Sequence, residues 1–376
     1  MFVGARGRDF SKPIHEKRTI HEAAALRGFA QAFAKTKDPK WRARALEVHH
    51  FLRDSMQAPD GTWYSTQQDL PAGVPSNANA DDYWQLGDED RRKLGVPPID
   101  HAVYTDQNGK VIEAYATLCE ATAESSWCDV GEKAASALLS ARLRAGGYVA
   151  QITWSAELAG DARKRPLVID DEIYLGAQAE FGRALLALHR ATGKPRWLDV
   201  AKTVAATMRG KLEDAPHGGF FARPPRSDVP ITESLKPVDD GIAAARFLLE
   251  LDALAPDEGS RTSAERALRG LAARAGRNPA LLVAMHALLL GPIEISVAGD
   301  RGDPDAEALF AAGRRLAEPR RVLRWDDGKK YPRGKSAAAY VCTRDVCLSP
   351  VRAPEDVAPT VAKLSRAPAG APCATP

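Results

Sequence analysis

The sequence lacks several features that would assign it to a familiar class of protein. No apolar run approaches the roughly 20 residues that a membrane-spanning helix needs, and residues 1–9 lack the apolar core of a secretory signal. Charge of neither sign dominates, because 52 basic side chains nearly cancel 49 acidic ones. A global basic field of the kind that attracts nucleic acid is therefore excluded. We expect a cytoplasmic protein that binds neither membrane nor nucleic acid.

Cysteine and familiar catalytic motifs are equally scarce. The chain has five cysteines at irregular spacings, and an odd number of this kind argues against a disulfide framework. Cys342 and Cys347 have no histidine or second cysteine pair nearby, so we expect two half-buried thiols on a small terminal sheet and no zinc site. Phosphate-binding loops, dinucleotide fingerprints, serine-hydrolase elbows and zinc-protease motifs are also missing. The sequence thus predicts no cofactor and no metal.

An internal repeat is the strongest positive signal. Trp41, Trp127 and Trp197 each follow a threonine by five positions, between two stretches with helical apolar spacing. Each unit then closes at a glycine turn that leads into an aromatic residue, and these are Trp63, Tyr148 and Phe220. The pattern predicts a repeated helical hairpin, with the tryptophan wedged between its two helices.

Such hairpins cannot bury both faces alone, so they must stack. A weaker fourth unit covers residues 239–275, and a last helix covers about 279–290. The long connections at 65–106 and 150–169 favour a closed toroid over an open superhelix. We therefore predict a mainly α chain, with an incomplete (α/α)6 toroid of helical hairpins over residues 1–290 and its N-terminal hairpin missing.

The pattern changes after the toroid. Segments near 292–298, 321–325 and 338–342 alternate like strands and are separated by a helical stretch. They predict a small C-terminal α/β appendage over residues 291–366. The remaining residues, 367–376, are low in complexity and predict a disordered tail.

Polar clusters stand in front of predicted helices at equivalent points of successive repeats. The clusters are Asp106 with Asn108, then Asp170, Asp171 and Glu172, then Asp239 with Asp240. One interpretation is that they cap helices and complement the helix dipole. The other is that they converge on one end of the ring and form a polar site. His15 and Glu16 raise the same choice between proton transfer and an ordinary surface role. Aromatic residues at the turns can stack on sugars or fill the core.

Five short motifs carry a resemblance to a known family. They are PIHEK at 13–17, GTWYSTQQD at 61–69, YTDQNG at 104–109, DDEIY at 170–174, and AYVC at 339–342 followed by Cys347 and Pro350. In this order they resemble the thioredoxin-domain-containing family that includes the spermatogenesis-associated proteins. The toroid of that family is similar to the six-hairpin glycosidases and to the N-acylglucosamine and cellobiose 2-epimerases. The family's thioredoxin-like domain, with its reactive cysteine motif, has no counterpart in this sequence.

The resemblance implies a pocket for a sugar ligand, with epimerase-like or isomerase-like acid/base chemistry. The catalytic candidates are Asp171, Asp170, His15 and Glu16. The substrate-binding candidates are Tyr64, Asp69, Asp106, Asn108, Trp154, Glu172, Tyr174, Phe221 and Asp240. The alternative is a non-catalytic repeat scaffold that binds a protein partner, such as a separate thioredoxin-like protein.

Overall fold

A computed structural model describes most of the chain. The described residues are 4–6, 12–72, 74, 79–154, 168–169, 172–225, 235–274, 276–326, 330–332, 334 and 336–365. Only the backbone is described at 4–6, 12, 153–154 and 168–169. The tail predicted at 367–376 lies outside these residues.

Helices make up most of the described structure. They are α1 Thr19–Thr36, α2 Pro39–Phe51, α3 Ala80–Gln85, α4 Asp88–Leu94, α5 Thr105–Thr122, α6 Ser125–Arg142, α7 Leu175–Thr192, α8 Pro195–Leu212, α9 Val238–Leu254, α10 Glu258–Ala272, α11 Pro279–Leu290, α12 Pro304–Arg314 and α13 Val357–Ser365. The strands are β1 Gly4–Arg6, β2 Lys12–Ile14, β3 Lys17–Arg18, β4 Thr66–Gln67, β5 Ile99–Asp100, β6 Val103–Tyr104, β7 Ile152–Trp154, β8 Val168–Ile169, β9 Ile293–Ala298, β10 Arg321–Asp326 and β11 Ala338–Cys342.

The long helices form two layers. Helices α1, α5, α7 and α9 pack side by side as an inner layer, and each pairs with the helix that follows it, α2, α6, α8 or α10, on the outside. Helix α11 lies against the last pair. The inner helices run parallel and in register, because Arg27, Glu113 and Arg183 each lie eight residues beyond the start of their helix and pair with one another. The predicted mainly α chain with toroid packing is confirmed.

Each hairpin is closed by the same main-chain contacts. After the outer helix an isolated bridge forms between Gln57 and Trp63, between Leu143 and Val149, and between Glu213 and Phe220. The N–H of the first inner-helix residue then bonds to a carbonyl two residues further on: Thr19 to Ser65 at 2.9 Å, Thr105 to Gln151 at 2.8 Å, and Leu175 to Ala222 at 2.9 Å. The sequence alignment of Tyr148 with Trp63 and Phe220 was therefore off by one residue, because Val149 holds the equivalent place.

The repeat tryptophans are buried to different degrees. Trp197 is 1% exposed and donates from Nε1 to Glu132 on α6 at 2.8 Å, so it reaches the neighbouring hairpin rather than only its own partner helix. Trp127 likewise packs edge-on against His49 of α2, with ring centroids 4.8 Å apart. Trp41 stacks on Phe29 of its own hairpin at 6.0 Å. Trp127 also stacks on Tyr115 of its own hairpin, with ring centroids 6.4 Å apart. Contacts within one hairpin thus occur at Trp41 and Trp127, and Trp127 and Trp197 in addition reach the neighbouring hairpin.

The C-terminal sheet forms where the alternating pattern predicts it. Strand β9 lies in the centre, with β10 parallel on one side and β11 antiparallel on the other. Helices α12 and α13 cover it and share its apolar core, which includes Ile295, Leu309 and Val361. The boundary of this appendage at residue 291 stays a prediction.

The expectation about cysteine was wrong. Cys119 pairs with Cys128, and Cys342 pairs with Cys347. The first pair forms because a two-residue link turns α5 into α6 and brings the two Cα atoms to 5.4 Å. The second forms where the chain folds back beyond β11, and there Cys342 is buried while Cys347 is exposed.

Candidate functional site

A layer of charged side chains crosses the interior of the ring. Arg27, Glu113, Arg183 and Arg246 each lie eight residues beyond the first residue of an inner helix, and we call them the ninth-residue layer. Glu113 Oε1 accepts from Arg27 Nη1 and from Arg183 Nη2, both at 2.8 Å. The inner helices therefore meet through buried ion pairs at this level.

Arg183 is the centre of this network. Its guanidinium also donates from Nη1 to Glu180 at 3.1 Å and from Nε to Glu250 at 3.2 Å, while its side chain is only 4% exposed. Burial alone would lower the pKa of Arg183, but Glu113, Glu250 and Glu180 together raise it. Burial alone would raise the pKa of Glu113, but Arg183 and Arg27 hold it well below its usual range. The buried charges are therefore paired, as their environment requires.

A second polar group lies at the N-terminal ends of the inner helices. We call its members the polar mouth: Asp106, Lys110, Gln151, Glu180 and Asp240. Gln151 donates from Nε2 to Asp106 at 2.8 Å, and Lys110 Nζ lies 3.0 Å from Glu180 Oε1. The carboxylate of Asp240 lies against the start of α7, where a methyl group at Gly176 would be 3.1 Å from Oδ1. The mouth thus brings side chains from three inner helices together.

The charges of the polar mouth act on one another. The pKa of the Asp240 carboxyl is raised above its usual value. Burial is the largest cause, and the neighbouring Asp106 is the second largest. Burial opposes the charge of Lys110, but Glu180, Asp106 and Asp240 outweigh it and raise the pKa of this amine. Asp240 makes no hydrogen bond within the part of the chain that the structure describes. The arrangement offers one carboxyl with a raised pKa beside one that Gln151 holds in place.

Asn108 has a different role from the one predicted for it. Its side chain is fully buried, and its amide accepts from the N–H of Trp63 at 2.8 Å and donates to the carbonyls of Trp63 and Tyr104 at 3.0 and 2.9 Å. Gln178 repeats this arrangement one hairpin later, on the main chain of Val149. The amide of Asn108 is therefore committed to joining two hairpins rather than to a ligand.

His15 belongs to a small aromatic cluster beside α3. Its Nε2 lies 2.7 Å from Asp81 Oδ1, and its ring stacks on Trp84 at 5.6 Å. Lys17 Nζ lies 3.7 Å from the centroid of the same indole ring. Burial is the main reason that the pKa of Lys17 falls to about 8. Glu16 instead faces outward and accepts from Arg18 at 3.0 Å.

The other predicted site residues are spread along the same end of the ring. The Tyr64 ring is tilted on His101 at 4.4 Å, and the Asp69 carbonyl accepts from the Trp84 indole at 2.7 Å. Glu172 lies 3.7 Å from Arg223, Tyr174 precedes α7, and the Phe221 ring lies beneath Lys236 Nζ at 5.1 Å. Asp170, Asp171 and the side chain of Trp154 lie outside the described residues.

Asp106 and Asp240 were candidates from the sequence and lie in the polar mouth, whereas the sequence interpretation did not include the ninth-residue layer, Lys110, Glu180 or Glu250. A signal was present, because Glu180 and Arg183 lie in the middle of a helix in which leucine, alanine, glycine and phenylalanine fill most positions. A charge in the buried middle of such a helix has to meet an opposite charge from another element. Among the described residues, no group of three His, Cys, Asp or Glu side chains is placed to hold a metal ion.

Comparisons with known proteins bear on the fold of this chain. No protein-family model and no curated protein matches the chain. Among solved structures it is similar to a cellobiose 2-epimerase from Bacillus thermoamylovorans B4167, with a TM-score of 0.54 and 11% identity over 72% of this chain and 65% of that one. It is also similar to a cellobiose 2-epimerase from Spirochaeta thermophila DSM 6192, with a TM-score of 0.50 and 17% identity over 70% and 61% of the two chains. A D-mannose isomerase gives a TM-score of 0.50 and 17% identity over 67% and 58%.

The chain spans about three fifths of the length of these structures. At such identities the likeness shows the fold alone, which is the α/α toroid. Within the described part of the chain, no helix is both long and apolar enough to cross a membrane.

Proposed function

We propose that the chain binds a free sugar at the polar mouth and acts on it as an acid/base epimerase or isomerase. The observation that carries this proposal is the pair Asp106 and Asp240, two interacting carboxyl groups beside the ammonium group of Lys110. Their environments differ, because Gln151 holds Asp106 at 2.8 Å while burial and Asp106 raise the pKa of Asp240. Two carboxyl groups in different surroundings suit the two halves of a proton transfer.

The reaction follows from these groups. The Asp106 carboxylate takes the proton from the carbon next to the sugar carbonyl, while Lys110 stabilises the negative charge that develops on the carbonyl oxygen. The protonated Asp240 carboxyl supplies a proton on the opposite face of that carbon, which gives the epimer. If the proton is delivered to the former carbonyl carbon instead, and the hydroxyl proton of the first carbon moves to the former carbonyl oxygen, the product is the isomer. After the transfer Asp106 is protonated and Asp240 is ionised. Asp106 then releases its proton to solvent and Asp240 takes one up, which restores the starting pair with no net change in protons.

Asp171, Asp170, His15 and Glu16 stay in the proposal as further catalytic candidates. His15 is suited to proton transfer near neutral pH, and its pairing with Asp81 sets the position of the ring. We also infer, from the five sequence motifs, that the chain is a relative of the thioredoxin-domain-containing family.

A thermal-shift titration against mono- and disaccharides tests the sugar proposal. A ligand present at 100 times its dissociation constant stabilises the fold by about 2.7 kcal/mol. We expect a shift for at least one sugar, lost in Asp240→Asn and Asp171→Asn and kept in Asp199→Asn, a matched change on the exposed side of α8. A chain that melts cooperatively but responds to no sugar would refute the proposal.

A non-catalytic scaffold is the second candidate, and α11 favours it. Leu282, Val283 and Leu289 on this helix are 58%, 46% and 76% exposed, which is typical of a surface that meets a partner. We propose a thioredoxin-like protein as the partner on the resemblance alone. Co-purification that Leu289→Ser abolishes, with no response to sugars, would favour this candidate.

The cytoplasmic location belongs to the same set of proposals. The two disulfides weigh against it, because disulfides persist in oxidising compartments and are rare in the cytosol. Counting the free thiols that can be alkylated, in unreduced protein taken directly from its own cells, distinguishes a cytosolic protein from an exported one. A cytosolic protein should show five reactive cysteines after unfolding, and an exported one should show one.

A further inference from the structure

A large cavity opens at the end of the ring opposite to the polar mouth. Its volume is about 910 Å³, within the roughly 300–1,000 Å³ that is usual for small-molecule sites. Helices α1, α5, α7, α9 and α11 contribute to its walls, and residues 314–322 of the appendage close its end. Of the described residues that line it, none belongs to the polar mouth. It is therefore a second chamber, and the inference drawn from it does not rest on the proposed sugar site.

The charges that line this cavity are unbalanced. The cations are Arg27, Lys35, Arg190, Arg246, Arg261, Arg314, Arg315, Arg320 and Arg321, and the anions are Glu113, Glu120, Glu250, Asp252 and Glu318. Some of the cations are matched, since Arg27 pairs with Glu113 at 2.8 Å and Arg321 with Glu120 at 2.6 Å. Nine cations against five anions nevertheless leave an excess of positive charge, which favours an anionic ligand.

Arg190 and Arg246 carry that excess. Both face Glu250, each at 3.7 Å, which is beyond hydrogen-bond distance. Glu250 already accepts from Arg183 at 3.2 Å, so one carboxylate serves three guanidinium groups. Within the described structure neither Arg190 nor Arg246 makes a hydrogen bond, although each side chain is only 22% exposed. The repulsion from Arg183, followed by burial, lowers the pKa of Arg246.

Part of the cavity wall is apolar. Helix α11 contributes Leu282, Val283 and Ala287, and the end of α9 contributes Leu254. Two of these side chains, Leu282 and Val283, are about half exposed to solvent. A ligand that only carried charge would leave this wall in contact with water, and one that was only apolar would leave the arginines unmatched.

We propose that this cavity is a binding site for a small organic anion, whose acidic group lies between Arg190 and Arg246 and whose apolar body lies along α11. The acidic group supplies the hydrogen-bond acceptors that Glu250 cannot provide to three guanidinium groups at once. The apolar body covers Leu282 and Val283. Carboxylates and phosphates satisfy the same arginines, so the acidic group is defined here by its charge and its oxygen acceptors.

Calorimetric titration with octanoate tests the proposal on the native chain. Octanamide has the same shape without the charge, and acetate has the charge without the apolar body. We expect one octanoate per chain, bound about tenfold more tightly than either comparator, which corresponds to about 1.4 kcal/mol. Equal binding of octanoate and octanamide would overturn the role of the arginines, and absence of octanoate binding would overturn the site.

Three variants locate the binding. Arg190→Gln combined with Arg246→Gln should reduce octanoate binding to the level of octanamide. Leu282→Ser, on an exposed side chain that does not threaten the fold, should weaken octanoate and octanamide alike by about tenfold. Arg269→Gln is the matched control, because Arg269 lies outside the cavity and pairs with Glu265 on the surface. Unchanged octanoate binding by Leu282→Ser would place the ligand elsewhere and refute the assignment, even if the double variant failed to fold.

Discussion

Replacing Arg183 by glutamine should destabilise the fold far more than the same change at Arg246, although both residues lie in the ninth-residue layer. Arg183 is buried and serves Glu113, Glu180 and Glu250, with contacts of 2.8, 3.1 and 3.2 Å. Removing one partner of a buried pair typically costs about 3–5 kcal/mol, because the other charge is left buried and unmatched. Glu250 is 25% exposed, so water compensates part of its loss, and we expect about 3–5 kcal/mol in total rather than a separate penalty for each carboxylate.

Arg246 gives the opposite expectation. It makes only a 3.7 Å contact with Glu250, and it lies near enough to Arg183 for the two charges to repel. Its replacement should change the free energy of unfolding by less than about 1 kcal/mol, in either direction. Urea unfolding followed by circular dichroism measures both variants. With an m value of about 3 kcal/mol/M, Arg183→Gln should lower the midpoint by about 1–1.7 M.

The difference between native protein and Arg183→Gln should also depend on pH. In the native chain the pKa of Glu113 and Glu180 is lowered, so their stabilisation is present above the unfolded value near 4.5 and is lost only at lower pH. Without Arg183 the pKa of both buried carboxyls should rise, because burial raises it and only part of the cationic surroundings remains. Protonation then relieves part of the penalty at a higher pH than in the native chain, so the gap should shrink as the pH is lowered from 7. Equal losses in the two variants, or a gap that does not change with pH, would refute the reasoning.

Three further predictions concern other parts of the fold. Gly109→Ala should lower the free energy of unfolding by about 1–3 kcal/mol, since its methyl group would lie 2.7 Å from the backbone of α7. Gly210→Ala has open space around it and should raise the free energy of unfolding by about 0.5–1 kcal/mol. Thermal melts measure both variants. Lys17 should react with an amine-acylating reagent ahead of ordinary lysines at pH 8, as mass spectrometry of peptides would show, because its pKa is about 8; labelling at the average lysine rate would contradict this. Replacing Cys119 and Cys128 by serine should cost about 2–3 kcal/mol in urea unfolding, and an unchanged midpoint would mean that the pair is not bonded.

The helices could be predicted because their signals are local. Apolar spacing and the repeated tryptophans need no knowledge of distant contacts, so the hairpins and even the weakened fourth unit occur where the sequence indicates. The disulfide between Cys119 and Cys128 could not be predicted in this way. It depends on how tightly α5 turns into α6, and that geometry is not expressed in cysteine spacing.

The candidate site could be predicted only in part, for a related reason. Asp106 and Asp240 stand at helix starts, where a polar residue attracts notice. Asn108 stands in the same kind of position, yet its partner is the main chain of Trp63, 45 residues away. The ninth-residue layer is visible only when parallel inner helices are placed in register. Such register belongs to the packing of whole hairpins, and one helix alone does not contain it.

The amides of Asn108 and Gln178 join the second and third hairpins to the turn of the hairpin before them, and both bond to main-chain atoms. Such a contact does not depend on which side chains occupy the turn, so the turn sequences can diverge while the contact stays. These two hairpins are therefore linked to their neighbours in the same way, as the units of a repeat protein are. Chains built in this way can lengthen or shorten by whole hairpins over evolution, and the hairpins that remain keep the contacts that hold them.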